Sequence, residues 1–234
     1  MFAPGWCGME RVSPTLFVER SMSPEARADL QHRIDLGRET VARFYGRLTT
    51  DPYFVACATM TCAERFGSYG EPAAALGDIA IRLAPNGETS ALIAHELSHA
   101  ELYRRVGGWR HIRMIPRWFD EGIAVVVANE PKHSDEVWQE IRRRNLTTPA
   151  IPDLVSRDQW RGAIQQFGET RYGDPPENWR LVYNTAAHEV RSLIAVTGTT
   201  GIQELLTRVN NGEKFDTAYQ HVLRDRRQTN PRPD

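Results

Sequence analysis

The stretch Ala94-His95-Glu96-Leu97-Ser98-His99-Ala100 sets two histidines four residues apart, with a glutamate directly after the first. It lies in a segment whose apolar residues recur at helical spacing, from Thr89 or Ser90 to Gly107-Gly108. Residues four apart on a helix lie one above the other. His95 and His99 can therefore offer imidazole nitrogens to a single metal ion. Glu96 follows the first histidine, so its carboxylate can approach a metal-bound water without being a ligand. A hydrolytic zinc site needs that arrangement. Both histidines share a stripe with Leu92, Leu102 and Val106, the side of the helix expected to be buried.

A catalytic zinc ion takes three protein ligands and one water. The next acid in a suitable setting is in Pro116-Arg117-Trp118-Phe119-Asp120-Glu121-Gly122-Ile123-Ala124. A proline opens this helix, and apolar residues flank Asp120-Glu121 on both sides. A carboxylate buried there needs a partner, and a zinc ion is a good one. Glu121 follows His99 by 22 residues. That is enough chain for one helix to finish, turn at Gly107-Gly108, and a second to begin.

With these two stretches in view, the chain resembles the gluzincin zinc metallopeptidases. The closest resemblance is to the aminopeptidase N and peptidase MA-like branch, where a Trp-x-x-Glu-Gly-x-Ala helix supplies the third ligand. It covers roughly residues 75–225. The resemblance implies one zinc ion held by His95, His99 and Glu121, with Glu96 as general base and a peptide or protein as substrate. It also implies a zincin-like α+β fold, in which a sheet-containing N-terminal part carries the active-site helix and the C-terminal part is helical. A tyrosine about sixty residues after the glutamate ligand is implied as oxyanion donor, and Tyr183 stands 62 residues on. Its ring also fits a packing stripe with Ala187, Val190 and Ile194. His188 is a second candidate, because a histidine plays this role in thermolysin-like enzymes.

Some positions depart from the pattern. Asp120 stands where such aminopeptidases often have Asn, and it is kept as a secondary site residue. Val125 stands where thermolysin-like enzymes have Asp. The strand expected over Asp78–Leu83 is, by the resemblance, the sheet edge along which an extended peptide lies. Yet it reads Gly77-Asp78-Ile79-Ala80-Ile81-Arg82 rather than the exopeptidase Gly-x-Met-Glu-Asn. Aminopeptidase activity is therefore unsupported. The rival readings are a zinc hydrolase of a non-peptide amide, a peptidase-derived binding module without turnover, and a metal-free helical domain. An intact Glu96 speaks against the binding module, which has no need of a base.

The remaining sequence reads as one catalytic domain over residues 1–225, with a sheet-containing part to about 108, a helical part over 109–225 and a frayed tail over 226–234. Thr15–Glu19 and Tyr53–Thr59 are expected strands. Ser23-Pro24 opens a helix that runs to Tyr45 and stops at Gly46. Asp135–Arg144 reads as an amphipathic helix whose three arginines face solvent. Residues 145–178 read as irregular loops. Trp179–Val196 is an expected helix closed by Gly198, followed by a helical pair over 202–223. Of 234 residues, 41% are hydrophobic, enough for a core without a metal staple. Lys+Arg is 29 against Asp+Glu 30, so no positive field points to nucleic acid as a partner. No apolar run is long enough to span a bilayer, and residues 1–7 do not form an intact signal peptide. Of the three cysteines, Cys57 and Cys62 can pair across a turn, which would suit an extracytoplasmic, oxidising compartment. The other reading is three buried thiols.

Overall fold

Ser23, Pro24 and Gly46 punctuate the first helix as their chemistry requires. The Ser23 hydroxyl accepts the Ala26 N–H at 3.3 Å, Pro24 opens helix α1 (Pro24–Tyr45), and Gly46 ends it at φ 80°. The computed structural model describes residues 8–168 and 178–229. The chain divides after Arg104 into two units, and its class is α+β.

The N-terminal unit holds a five-stranded sheet. Its strands are β1 (Met9–Arg11), β2 (Leu16–Glu19), β3 (Tyr53–Ala56), β4 (Ala73–Leu76) and β5 (Ala80–Leu83), in the order β1-β2-β3-β5-β4. The pairs β2/β3 and β3/β5 are parallel, while β1/β2 and β4/β5 are antiparallel. Every residue of β5 is buried, as is β3 from Phe54 onward. Strand β5 lies between two neighbours and is buried on both faces, so Arg82, expected on the opposite side of an alternating strand from Ile79, Ile81 and Leu83, is buried as well.

Three expectations are corrected here. The strand at Tyr53 stops at Ala56, because the Thr59 hydroxyl accepts the Cys62 N–H and caps a short helix, α2 (Met60–Arg65). The strand expected from Asp78 begins only at Ala80. Gly77, at φ 56°, turns the chain between β4 and β5, and Ile79 is 51% exposed instead of joining Ile81 and Leu83 in the core. The sheet edge is consequently β4, with β5 one strand in. Cys57 and Cys62 form a disulfide between the end of β3 and α2, and both pack with Met9, Val55, Ala63 and Ala84.

Helix α3 (Ser90–Arg105) carries the two histidines. Three contacts hold it in place. A Cβ on Gly37 of α1 would lie 2.7 Å from Ile93 Cγ2 and 3.3 Å from the Ala94 nitrogen, so glycine permits this helix crossing. The hydroxyls of Tyr45 and Ser98 lie 3.3 Å apart. The fully buried Glu101 carboxylate accepts the Thr49 N–H at 2.9 Å, the Thr49 hydroxyl at 2.8 Å and the Thr50 N–H at 3.2 Å. A buried carboxylate bonded in this way is satisfied, and it ties the helix to the loop before β3.

The C-terminal unit is helical, with α4 (Arg117–Ala128), α5 (Asp135–Arg143), α6 (Arg157–Gly168), α7 (Asn178–Asn210) and α8 (Phe215–Thr229). Gly198, at φ 67° and ψ 176°, breaks α7 where the sequence places its end. Helix α6 falls in the span expected to be irregular. Residues 169–177 of that span lie outside the described residues, as do Cys7 and residues 230–234. Residues 226–229, expected in the tail, continue α8. A Cβ on Gly122 of α4 would lie 2.5 Å from the Ala186 carbonyl oxygen of α7, so these two helices touch at their backbones. Trp118 and Phe119 meet Phe215 edge-on, with ring centroids 5.8 and 5.0 Å away. Arg143 and Arg144 both pair with Glu140 on the exposed face of α5. Among the described residues, no helix is long and apolar enough to cross a membrane.

Candidate metal centre

On α3, His95 and Glu96 are buried and His99 is half-buried. The i, i+4 spacing brings the two imidazoles together, with their Nε2 atoms 3.1 Å apart and their planes at 72°. Two nitrogens each about 2.0–2.1 Å from a tetrahedral ion stand about 3.3–3.4 Å apart. The observed separation is already close to that of two ligands on one ion. Ser98 between them is fully buried, so its contact with Tyr45 fixes the rotation of this turn.

Glu96 is turned to a different partner. Its Oε2 accepts the Ala75 N–H at 2.7 Å, and Ala75 belongs to the edge strand β4. The bond orients the carboxylate and covers a backbone donor that an edge strand would otherwise leave open.

On α4, Glu121 is 4% exposed. Arg117, the first residue of that helix, lies one turn before it. Arg117 Nη2 pairs with Glu121 Oε1, Arg117 Nη1 donates to Asp120 Oδ2 at 2.6 Å, and the Arg117 N–H donates to the Val155 carbonyl at 2.8 Å. Burial alone would lower the guanidinium's pKa. The carboxylates of Glu121 and Asp120, together with Tyr183, outweigh it and raise the value. Asp120 therefore anchors Arg117. One donor atom each from His95, His99 and Glu121 lies within 4.8 Å of the other two, a group able to hold a metal ion. Two imidazoles and one carboxylate form a hydrolytic zinc donor set. Glu19, Cys57 and Cys62 also cluster, but those cysteines are spent on their disulfide.

Helix α7 presents Tyr183 and His188 to different surroundings. The Tyr183 ring stacks on His133 at 5.5 Å and meets Trp160 edge-on at 5.1 Å, and its phenol interacts with Arg117. His188 stacks on the Trp138 indole at 4.4 Å, beside Ile141 and Leu181. Burial there lowers its pKa, the largest of several influences. Of the two oxyanion candidates, Tyr183 has an electrostatic influence on Arg117, while His188 packs on Trp138. His133 is fully buried, and its Nδ1 lies 3.1 Å from Asn184 Nδ2.

The contacts of Arg117 with Glu121, of His133 with Tyr183 and of the Ala75 N–H with Glu96 were not anticipated from the sequence. Arg117 carried a readable signal, since a cation in the first turn of a helix opposes the helix dipole. His133 lies 50 residues from Tyr183, and nothing local connects them. No family model and no curated protein matches this chain.

Proposed function

We propose that this chain is a zinc-dependent metallopeptidase of the gluzincin type, with His95, His99 and Glu121 as zinc ligands. The observation that carries the reading is the convergence of those three donors, with Glu96 next to a ligand in sequence yet outside the donor set. A zinc ion in this set supplies Lewis acidity and lowers the pKa of a coordinated water. Glu96 is the general base: it takes a proton from the attacking water and passes it to the leaving amine. The bond from Ala75 holds that carboxylate in position. Tyr183 donates to the oxyanion as negative charge builds on it, with its ring held by His133 and Trp160. The substrate is a peptide or protein that lies along the β4 edge. The Cys57–Cys62 disulfide suits an oxidising compartment.

Digestion of casein or a peptide library by the parent and by Glu96→Gln tests the reading. The variant is expected to keep its metal and lose about 10²–10⁴-fold in rate, the usual worth of a general base. Cleavage by the variant at the parent rate refutes the role given to Glu96.

A further inference from the structure

Besides the two histidines, the N-terminal unit gathers a second set of ligating side chains, and three of them carry sulfur. Met9 of β1 is the register partner of Glu19 on β2. Val18 and Ala56 pair on β2 and β3, so the residues that follow them, Glu19 and Cys57, stand side by side. Residues directly opposite on neighbouring strands point to the same face, so Met9, Glu19 and Cys57 form one row. Helix α2 adds Cys62 to this row, with its Sγ 3.9 Å from Met9 Sδ. Met9, Cys57 and Cys62 are all buried, in a small apolar cluster with Val55, Ala63 and Ala84. The Glu19 carboxylate is close to both cysteine sulfurs but has another task. Its Oε2 accepts the Ala58 and Thr59 N–H groups, both at 2.9 Å, and its Oε1 accepts the Thr59 hydroxyl at 3.0 Å. These bonds fix the start of α2, and with it the place of Cys62.

We propose that Cys57, Cys62 and Met9 form a copper(I) site that the disulfide closes and its reduction opens. The inference is independent of the zinc reading above. A dithiol passes two electrons and two protons to the disulfide. The S–S bond breaks, two thiols form, and the dithiol is itself oxidised to a disulfide. Copper(I) then displaces the two thiol protons to solvent and keeps its oxidation state. Two sulfurs each about 2.3 Å from one ion stand about 3.8–4.0 Å apart, and Met9 and Cys62 already have that separation. The Cα atoms of the two cysteines are 5.4 Å apart, so rotation of their side chains brings the freed thiolates to the same spacing. Two thiolates and a thioether are soft donors, and such a set selects copper(I). Zinc takes cysteine, histidine and carboxylate ligands instead, and has no use for Met9. A Glu19 oxygen within 4.8 Å of both cysteine sulfurs adds negative charge that favours a bound cation.

The test uses the full chain carrying Cys7→Ser, so that Cys57 and Cys62 are its only cysteines. One sample is left oxidised. The other is reduced with a phosphine, which is then removed without oxygen. Each is titrated with copper(I) alone against a coloured copper(I) chelator. The reduced chain is expected to take one copper per chain more than the oxidised chain. With one equivalent bound, its X-ray absorption edge is expected to be that of three-coordinate copper(I). Met9→Leu is expected to show the more intense edge peak of two-coordinate copper(I). Leucine keeps the packing volume of methionine, so a merely structural Met9 would leave the edge unchanged. The same readout covers a reduced chain that does not fold, because Met9 stands 48 residues before Cys57 and meets the thiolates only through the sheet. Equal uptake by the oxidised and reduced chains overturns the inference. So does two-coordinate copper in the reduced chain with Met9 intact, or the same edge with and without Met9.

Discussion

Gly122→Ala perturbs the contact that sets α4 against α7. An added Cβ would lie 2.5 Å from the Ala186 carbonyl oxygen, 2.8 Å from its carbon and 2.9 Å from Val190 Cγ2. Ordinary contact begins at 3.4 Å, so the helices must part by about 0.9 Å, and two of the three opposing atoms are backbone. Such overpacking costs about 1–3 kcal/mol net. Elsewhere in a helix the same change is favourable, because alanine reduces the freedom of the unfolded chain. Gly162 on α6 supplies the control, since nothing lies within 4 Å of its Cβ position. Gly162→Ala is expected to stabilise by about 0.4–1 kcal/mol. For a chain of this length 1 kcal/mol moves Tm by about 2–4 °C. Thermal unfolding should therefore show Gly122→Ala lower by about 2–12 °C and Gly162→Ala higher by about 1–4 °C. Equal rises in both variants would refute the close helix crossing, and with it the reason a glycine follows Glu121.

Two further outcomes follow from α7. Tyr183→Phe keeps the ring against His133 and Trp160 and removes only the hydroxyl, so kcat is expected to fall about a hundredfold with Tm nearly unchanged; full activity together with a lowered Tm would make Tyr183 a packing residue. His188, with its pKa depressed by burial, takes up a proton less readily folded than unfolded. Stability should therefore fall as pH drops below about 6.5 toward the folded value. Denaturant titrations from pH 7.5 to 5 should show a shallower decline for His188→Gln, and an unchanged slope would remove His188 as its source.

Helix α1 was legible because its signals are local: a serine cap, a proline in the first turn and a stopping glycine. The α3 pair was legible for the same reason, since i, i+4 spacing fixes geometry without tertiary information. Strand β4 was not, because Ala73–Leu76 has no β-branched or aromatic residue, and its pairing with β5 alone makes it a strand. Ile79 read as part of an alternating strand, although the Gly77 turn takes it to the surface. Helix α6 was hidden by Gly162 and by the prolines at 149 and 152. The donor group of His95, His99 and Glu121 was within reach of sequence reasoning. The packing of Tyr183 on His133 was not, because it depends on how α7 meets the turn before α5.

Zinc content tests the central claim most directly. Elemental analysis is made of the parent chain, His99→Ala and Glu121→Ala after zinc loading and exhaustive dialysis. One zinc per parent chain is expected, with none tightly held once His99 is removed. Retention without Glu121 is expected to be far weaker, because two imidazoles alone do not complete the set. Full zinc occupancy in His99→Ala, or a parent chain that retains no zinc, would contradict it.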